Sequence, residues 1–185
     1  MKLNTQSDEE LIDAFRRGER AALGELARRY ERPLLGLARG LLGYDDQGAC
    51  DAIQETWVRV IRFAGSFNGQ SRFRTWLYRV AINQCRNLWA ARPKAVIASD
   101  SEPVNIDSEP PPDHTASEAE YAERVRAAVE ALSPEARAVV LLCYHSGMNH
   151  AQAAEILEIP VGTVKSRLHA ALEELRARLK TENQP

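Results

Sequence analysis

The chain has 185 residues, enough for one large domain or two small ones, and its 44% hydrophobic and 27% charged content is typical of a soluble globular protein. The net charge of −2 conceals a segregation of charge: residues 1–92 carry 15 basic and 11 acidic residues, residues 93–121 carry 1 and 7, and residues 122–185 carry 8 and 8. The three cysteines form no CxxC pair, so we expect reduced thiols, no metal site and no cofactor. No apolar run is long enough to cross a bilayer and the start of the chain lacks an apolar signal core, so we expect a cytoplasmic protein without membrane insertion.

The first part of the chain is expected to be helical. Ser7 and Glu10 have capping-box spacing ahead of an apolar-periodic run, and Gly18 is placed to end that short helix. A second helical pattern follows, which Pro33 interrupts and is able to kink. Residues 43–48 are typical of a turn.

A third helix is predicted from Asp51 onward. Its expected buried stripe is Ile53, Trp57, Val60, Ile61 and Ala64. Its outer face carries Asp51, Gln54, Glu55, Arg59 and Arg62. Glu55 and Arg59 have the spacing of an i,i+4 ion pair, which is one interpretation of this face. A docking surface of carboxylates and an amide is the other, and the pattern alone does not choose between them.

The next stretch is basic, with no Asp or Glu between Glu55 and Asp100. A turn-rich loop at residues 65–71 precedes a segment with helical periodicity. Its apolar side is expected to carry Phe73, Leu77, Val80, Ala81 and Leu88, and its other side Arg72, Trp76, Arg79, Asn83 and Arg86. A cationic face follows phosphates and an aromatic ring stacks on an unpaired base, so this side is a candidate nucleic-acid surface. The alternative is a solvated basic face with Trp76 folded into the core.

The amino-acid composition of the chain changes after residue 92. Residues 93–120 contain five of the nine prolines and few large apolar residues. Such a stretch buries too little surface to offset the entropy of ordering, so we expect a flexible acidic linker.

The C-terminal part predicts a helix-turn-helix layout. The predicted helices cover residues 119–132, 135–145, 150–157 and about 161–180. Ser133 and Pro134 supply an N-cap followed by the favoured first-turn proline. Because a turn of only three residues, 158–160, joins the last two helices and polar residues lead the second, DNA binding is favoured over a plain helical hairpin.

No catalytic constellation is present in the sequence. The four histidines lack nearby Ser, Cys or carboxylate partners at useful spacing, and there is no glycine-rich phosphate loop. We therefore do not expect an enzyme, and no catalytic residue is assigned.

Five motifs, in order, are similar to the pattern of one family. They are DEELIDAFRRGERAALGELARRYERPLLGLAR, DAIQETWVRV, FRTWLYRVAINQCRN, LSPEARAVVLL and IPVGTVKSRL. The chain resembles a bacterial RNA polymerase sigma factor of the short, extracytoplasmic-function type over nearly everything except residues 93–118. The resemblance implies an all-α fold of two small domains. These are a sigma2-type helical bundle at residues 1–92 and a sigma4-type helix-turn-helix domain at residues 119–185, joined by the flexible acidic linker at residues 93–118.

The resemblance also implies a function and partners. Such a protein binds core RNA polymerase through the β′ clamp coiled coil and the β subunit, recognises two elements of promoter DNA, and stabilises the melted strand. An anti-sigma factor is an expected further partner. The alternative left open is a helix-turn-helix DNA-binding regulator whose N-terminal bundle is only a protein-interaction domain. A helical scaffold protein is disfavoured by the acid-free basic interval with its aromatic residues.

Site residues follow from the matching motifs. The implied polymerase-binding residues are Asp51, Gln54 and Glu55. Those for the near-start promoter element and its flipped base are Phe67, Asn68, Ser71, Arg72, Trp76, Arg79, Asn83 and Arg86. Those for the upstream promoter element are Thr163, Lys165, Ser166, Arg167 and His169. The acidic linker resembles those that thread the RNA channel of the polymerase, and a solvated spacer is its alternative.

The C-terminal motif departs from the family pattern at several positions. Ala170 and Leu172 stand where recognition helices of the family commonly carry Arg, and the supporting helix reads NHAQAAEIL where an acidic pair with Ile is usual. Glu158 takes the place of the usual turn glycine, which costs on the order of 1 kcal/mol if its φ is positive. These departures remove contacts that the family pattern would supply to DNA. Of the functions that the resemblance implies, upstream-element binding is therefore the one that it supports least.

Overall fold

The computed structural model describes residues 3–91 and 116–181, and those ranges contain helices and turns but no β-strand. The α-helices are α1 (Asp8–Arg16), α2 (Arg20–Leu41), α3 (Asp46–Phe63), α4 (Phe73–Ala91), α5 (Ala116–Glu130), α6 (Pro134–Val140), α7 (His150–Leu157) and α8 (Val161–Thr181). Short 3₁₀ turns lie at Leu3–Thr5 and Ala64–Ser66, and a π-helical turn, Leu141–His145, continues α6. The all-α fold is confirmed. The predicted linker lies outside the described residues except where α5 begins.

The predicted caps are confirmed. Ser7 Oγ accepts from the backbone N–H of Glu10 at 3.2 Å, and Ser7 N–H donates to Glu10 Oε2 at 2.7 Å. Gly18 follows the end of α1 with a φ of +102°, which favours glycine. Ser133 accepts from Ala136 N–H at 3.3 Å ahead of α6.

The second helical pattern forms one helix, since α2 continues through Pro33, the residue expected to interrupt it. One expected boundary differs in the structure. α3 begins at Asp46 and not at Asp51, because the Asp45 carboxylate accepts from Gly48 N–H at 3.0 Å and caps a helix inside the stretch that we predicted as a turn.

Helices α1–α4, the N-terminal bundle, enclose one apolar core. Its largest fully buried side chains include Leu11, Ile12, Leu26, Leu34, Leu37, Phe73, Leu77, Tyr78 and Ile82. α4 is buried over a wider arc than its apolar pattern predicts, because it contacts α1, α2, α3 and α7. For that reason Thr75, Tyr78 and Cys85 are buried as well, whereas Val80 is only half-buried.

The predicted buried stripe of α3 needs one correction. Ile53, Val60 and Ala64 are buried as expected and Trp57 is half-buried. Ile61 was predicted to be buried, but 53% of it is exposed. At about 100° per residue, Ile61 lies only about 20° from the exposed Gln54 around the helix axis, so it belongs to the outer face.

Helices α5–α8, the C-terminal unit, contain the predicted helix-turn-helix. The α6 segment and the π-helical turn bury Val139, Val140 and Leu142, as expected. Asn149 and Gln152 form a capping box at the start of α7 that we did not predict. Along α8 the inner stripe is buried near its start (Val164, Leu168, Ala171) and half-buried beyond it (Leu172, Leu175, Leu179).

The two halves pack against each other along α2 and α4. Two glycines within α2 and a third just after its end allow the two halves to approach each other closely. A Cβ at Gly36 would lie 2.6 Å from His145 Nε2, and one at Gly40 would lie 2.8 Å from a Leu141 methyl carbon. Gly43, with a φ of +70°, lies against the Glu130 carboxylate. Side chains at these positions would displace the C-terminal unit.

Candidate protein and nucleic-acid interfaces

The outer face of α3 carries the predicted polymerase-binding residues. Asp51, Gln54 and Glu55 are exposed on successive turns of one helix. Asp51 accepts from the Gln47 amide at 3.1 Å, and Glu55 lies 3.3 Å from Arg59 Nε. The i,i+4 pair therefore exists, but an exposed pair contributes only a few tenths of a kcal/mol and leaves the carboxylate available to a partner.

Two apolar side chains that we did not assign extend this face. Val58 is 43% exposed and Ile61 is 53% exposed. Val58 lies between Gln54 and Glu55 around the helix axis, which a helical projection of the sequence shows. The surface therefore combines acidic residues and an amide with an apolar centre, a composition found where proteins bind one another.

The loop before α4 is held by an aromatic cluster. Phe67 is buried, with its ring centroid 5.9 Å from Phe73 and 5.5 Å from Trp76. Trp76 is half-buried and also contacts Phe73, at 5.8 Å. The position of Trp76 is thus intermediate between full exposure and burial, since the ring packs on the core but is not enclosed by it. Phe67 lies beneath Trp76 and offers no open face for stacking in this arrangement.

A chain of polar contacts fixes the start of α4. Asp8 accepts from Arg29 Nη1 at 2.9 Å and from the Tyr30 hydroxyl, and the neighbouring Glu9 accepts from Phe73 N–H at 3.0 Å. Burial, together with the hydrogen bond to Asp8, raises the pKa of Tyr30, so the phenol stays protonated as a donor. Sequence spacing did not reveal that Glu9 caps a helix 64 residues away.

The remaining loop residues face outward. Asn68 is exposed, and its side-chain oxygen accepts from Gln70 N–H at 3.1 Å, a local turn that shapes the loop. Ser71 is half-buried, and Arg72 is exposed immediately before α4.

The basic face of α4 meets α7 of the C-terminal unit. Arg79 Nη2 donates to the backbone carbonyl of Glu155 at 2.8 Å and lies 3.7 Å from its carboxylate. Arg79 Nε lies 3.8 Å from the Glu158 carboxylate. One turn further on, Asn83 and Arg86 are exposed. The predicted set is therefore brought together on one strip of loop and helix, with Arg79 already in contact with two acidic residues.

The leading turns of α8 present the third predicted set. Lys165, Ser166 and His169 are exposed, and Thr163 and Arg167 are half-buried. Ser166 Oγ donates to the Thr163 carbonyl at 3.2 Å, and His169 Nε2 lies 3.5 Å from Glu173. Glu158 has a φ of 58°, so the condition under which this residue costs on the order of 1 kcal/mol is met.

Among the described residues, no group of three or more His, Cys, Asp or Glu side chains is arranged to hold a metal ion. Within the same ranges no helix has both the length and the apolar character that a membrane crossing requires.

Two families match the chain. Residues 26–94 match Sigma-70 region 2, and residues 122–175 match Sigma-70 region 4. The first match spans α3, the aromatic loop and α4, and the second spans the helix-turn-helix.

Whole-chain similarity agrees with these matches. The chain is 32% identical over 184 residues to the RNA polymerase sigma-H factor of Pseudomonas aeruginosa, covering 94% of both proteins. It is 27% identical over 178 residues to the ECF RNA polymerase sigma-E factor of Escherichia coli K12, covering 91% of this chain and 92% of that one. A structure of CnrH in complex with the cytosolic domain of CnrY superposes with a TM-score of 0.74, at 25% identity, over 96% of this chain and 100% of the other. The sigma factor RpoE of Bartonella quintana, solved with the anti-sigma factor NepR, has the same fold (TM-score 0.64, 23% identity, 84% and 97% coverage).

Proposed function

This chain belongs to the bacterial RNA polymerase sigma factors of the extracytoplasmic-function type, and from that premise we propose which of its surfaces perform each step. As a sigma factor it binds core RNA polymerase and directs transcription initiation at specific promoters. We assign polymerase docking and near-start promoter recognition to the domain at residues 1–92, and upstream-element recognition to the domain at residues 119–185. Melting the promoter involves no bond chemistry, so the protein acts as a binding factor and not as an enzyme.

Polymerase docking is assigned to Asp51, Gln54 and Glu55, with Val58 and Ile61 as the apolar part of the same surface. The observation that carries the proposal is the exposure of all five on one face of a helix whose other side is core. The partner is the β′ clamp coiled coil, and the β subunit is the expected partner of the C-terminal domain. Exposed carboxylates steer a partner of opposite charge and fix its register, while the two apolar side chains add surface that binding would bury.

The docking assignment is tested with Asp51→Lys/Glu55→Lys. We expect the affinity for purified core polymerase to fall at least 100-fold, because two attractive contacts become repulsive. The helical circular dichroism and the urea midpoint should stay at wild-type values, since both side chains are exposed. The matched control is Glu19→Lys/Glu31→Lys, which changes the net charge equally at exposed positions off α3. Wild-type pull-down of core enzyme by the α3 variant would refute the assignment.

Capture of an unpaired promoter base is assigned to the strip from the aromatic loop along α4. Asn83 supplies hydrogen bonds to a base edge and Trp76 supplies a stacking surface. Arg72, Arg79 and Arg86 are placed to contact phosphates, with Asn68 and Ser71 at the loop and Phe67 as its buried support. Extruding a base costs a few kcal/mol, which stacking and edge contacts offset.

Base capture is tested in the holoenzyme with Asn83→Ala. Asn83 is exposed, so its removal should leave the fold intact. The template is a promoter identified by sequencing the run-off transcripts of the wild-type holoenzyme on genomic DNA. We expect permanganate reactivity of the melted strand to fall about tenfold while binding to the closed duplex changes less than twofold. An equal loss in both assays would contradict base capture. Production of run-off transcripts by core enzyme plus this chain also excludes a regulator that needs another sigma factor.

Upstream-element recognition is assigned to Thr163, Lys165, Ser166, Arg167 and His169. Their position at the leading end of the second helix of a helix-turn-helix, exposed or half-buried, supports a major-groove contact. Because Ala170 and Leu172 add no cation, we expect a shallow dependence of duplex binding on salt.

An anti-sigma factor is proposed as a further partner. CnrH was solved in complex with the cytosolic domain of CnrY, and this chain superposes on CnrH over nearly its full length. The exposed α3 face is the surface that such a partner would have to cover to prevent polymerase binding.

A further inference from the structure

The helix α4 begins without a local cap, and an acidic residue of a distant helix takes that place. Arg72 immediately precedes α4, and its carbonyl accepts the first hydrogen bond of the helix, from Trp76 N–H at 3.1 Å. An arginine side chain only donates, so it cannot accept from the free N–H groups of the first turn. The sequence has no Asp or Glu at residues 56–99 that could do so either. Glu9 of α1 supplies the acceptor, because Phe73 N–H donates to its Oε1 at 3.0 Å.

The position of Glu9 is fixed through the residue before it. Asp8 accepts from Arg29 Nη1 at 2.9 Å and from the Tyr30 hydroxyl, which ties the start of α1 to α2. Arg29 Nη2 also donates to two carbonyls of the Leu3–Thr5 turn, at 3.3 Å and 3.1 Å. These contacts hold the first turn of α1 in place, so the Glu9 carboxylate meets α4 at a defined point.

The same helix holds the other end of the loop that precedes α4. α1 packs against the Ala64–Ser66 turn, where this loop begins. Both ends of the loop are therefore attached to α1, the first by packing and the second by the bond from Phe73 N–H to Glu9. Between them Asn68 is exposed, and its side chain accepts from Gln70 N–H at 3.1 Å. A loop held at both ends has fewer conformations to lose when it binds, so its exposed residues are preorganised for a ligand.

A cap supplied from α1 also keeps the DNA-facing strip cationic. The usual arrangement is a local N-cap of Ser, Thr, Asp or Asn, which would stand at position 72. Such a residue would replace an exposed arginine that is proposed to contact phosphate. Glu9 satisfies the Phe73 N–H and leaves position 72 to a cation. Its carboxylate also faces the positive end of the α4 dipole, which partly offsets its charge.

We propose that Glu9 is a positioning residue for promoter melting, whose carboxylate holds the amino end of α4 so that the loop and Trp76 keep the arrangement that receives an unpaired base. Glu9 acts through α4 and does not itself contact DNA. This inference rests on the proposed role of α4 and its loop in base capture. It requires that the hydrogen bond, and not the negative charge, is what melting depends on.

Three substitutions of Glu9 separate the hydrogen bond from the charge. Glu9→Gln keeps the length of the side chain and an oxygen acceptor but removes the charge. Glu9→Asp keeps the charge but shortens the side chain by one carbon, so the carboxylate falls short of the Phe73 N–H. Glu9→Ala removes both. Asp13→Ala is the matched control, because it removes a carboxylate of the same helix whose ion pair, with Arg16 at 3.0 Å, is local to α1.

The bond itself is measured in the free chain by hydrogen exchange of the Phe73 amide, followed by NMR. We expect exchange to speed up about tenfold in Glu9→Ala and Glu9→Asp, because the amide loses its acceptor. Glu9→Gln and Asp13→Ala should exchange at nearly the wild-type rate. Wild-type exchange in Glu9→Ala would overturn the inference at this step.

The function is measured in the holoenzyme on the promoter identified with the wild-type protein. Permanganate reactivity of the melted strand should fall about tenfold in Glu9→Ala and Glu9→Asp, the effect of losing one hydrogen bond to a charged group. Glu9→Gln should restore most of the melting, and Asp13→Ala should melt like the wild type. The affinities for core polymerase and for the closed duplex should change less than twofold in all four variants.

A merely structural role would give a different result. Loss of folded protein lowers core binding, duplex binding and melting in the same proportion, so all assays are run at a temperature where circular dichroism shows each variant to be folded. A proportional loss in the three assays would overturn the positioning role. Melting that is normal in Glu9→Asp and defective in Glu9→Gln would also overturn it, because the charge and not the bond would then be required.

Base capture is judged separately by Asn83→Ala in the same holoenzyme assay. If Asn83→Ala is defective in melting while Glu9→Ala melts the promoter normally, only the positioning role of Glu9 is refuted. If Asn83→Ala melts the promoter normally, base capture by α4 is refuted and the positioning role is refuted with it.

Discussion

The guanidinium of Arg137 lies over the indole of Trp89, with Cζ 5.8 Å from the ring centroid, so that a buried cation of α6 covers an aromatic residue of α4. Arg137 is only 5% exposed and donates to the carbonyls of Leu41, Glu130 and Leu132. Burial lowers its pKa, which the Glu130 carboxylate partly opposes. One side chain thus satisfies acceptors in both halves of the chain.

Arg137→Ala should therefore be strongly destabilising. It leaves buried carbonyls without a donor and opens a cavity against Trp89, which together cost about 2–4 kcal/mol of unfolding free energy. Urea denaturation followed by circular dichroism measures the loss. Arg126→Ala is the control, because its ion pair with Glu123 is exposed and worth less than about 0.5 kcal/mol. A loss below about 1 kcal/mol for Arg137→Ala would contradict this role.

Glu158→Gly should stabilise the fold relative to Glu158→Ala. Both substitutions remove the carboxylate, but only glycine adopts the φ of 58° at this position without strain from a Cβ. We expect the glycine variant to exceed the alanine variant by about 1 kcal/mol in unfolding free energy. Equal thermal midpoints for the two variants would show that the left-handed turn carries no strain.

The three cysteines should react at widely different rates. Burial raises the pKa of Cys85 to about 12, so at pH 8 only about 10⁻⁴ of it is thiolate, against roughly a quarter of an ordinary free thiol. Cys50 is exposed, and burial raises the pKa of Cys143. With a thiol reagent at pH 8 we expect Cys50 to react first, Cys143 more slowly, and Cys85 about 10³-fold more slowly than Cys50. Peptide mass spectrometry identifies the order in which the cysteines are labelled. In urea, the differences between their rates should disappear.

The ionisation of Glu25 should make the free energy of unfolding depend on pH in the acid range. Hydrogen bonds from Arg28 and Arg29 lower its pKa to about 2, whereas an unfolded glutamate titrates near 4.3. The charged native form is therefore favoured, and its stabilisation is present above about pH 4.3 and lost as pH falls towards 2. Glu25→Gln should lower the urea midpoint at pH 7, and the difference from wild type should shrink between pH 4.3 and 2. A difference independent of pH would exclude this linkage.

Local signals predicted much of the secondary structure. The Ser7–Glu10 box, the Ser133 cap and the turn at Glu158 each depend on residues within four positions of one another, so the sequence carries the whole interaction. The two-domain all-α fold and the family followed from the resemblance of five longer motifs to one family. The roles of the individual site residues remain predictions.

Long-range contacts were beyond such reasoning. Glu9 caps α4 across 64 residues, and Gly36 accommodates His145 from another helix, and neither pairing has a periodic signature. The misassignment of Ile61 has a different cause. An apolar residue at the margin of a helical stripe is compatible with core or with an interface, and only the position of neighbouring helices decides between them.

The π-helical turn at Leu141–His145 has little effect on how the DNA-reading end is aimed. Ser146 N–H donates to the Leu141 carbonyl at 2.9 Å, five residues back, so the turn holds one residue more than an α-helix would. Five residues wound at about 80° each turn the chain through nearly the same angle as four residues of an α-helix at about 100° each. Deleting one residue there would therefore restore ordinary α-helical winding and leave the helix-turn-helix after it in nearly the same orientation, so the extra residue is absorbed within its own turn.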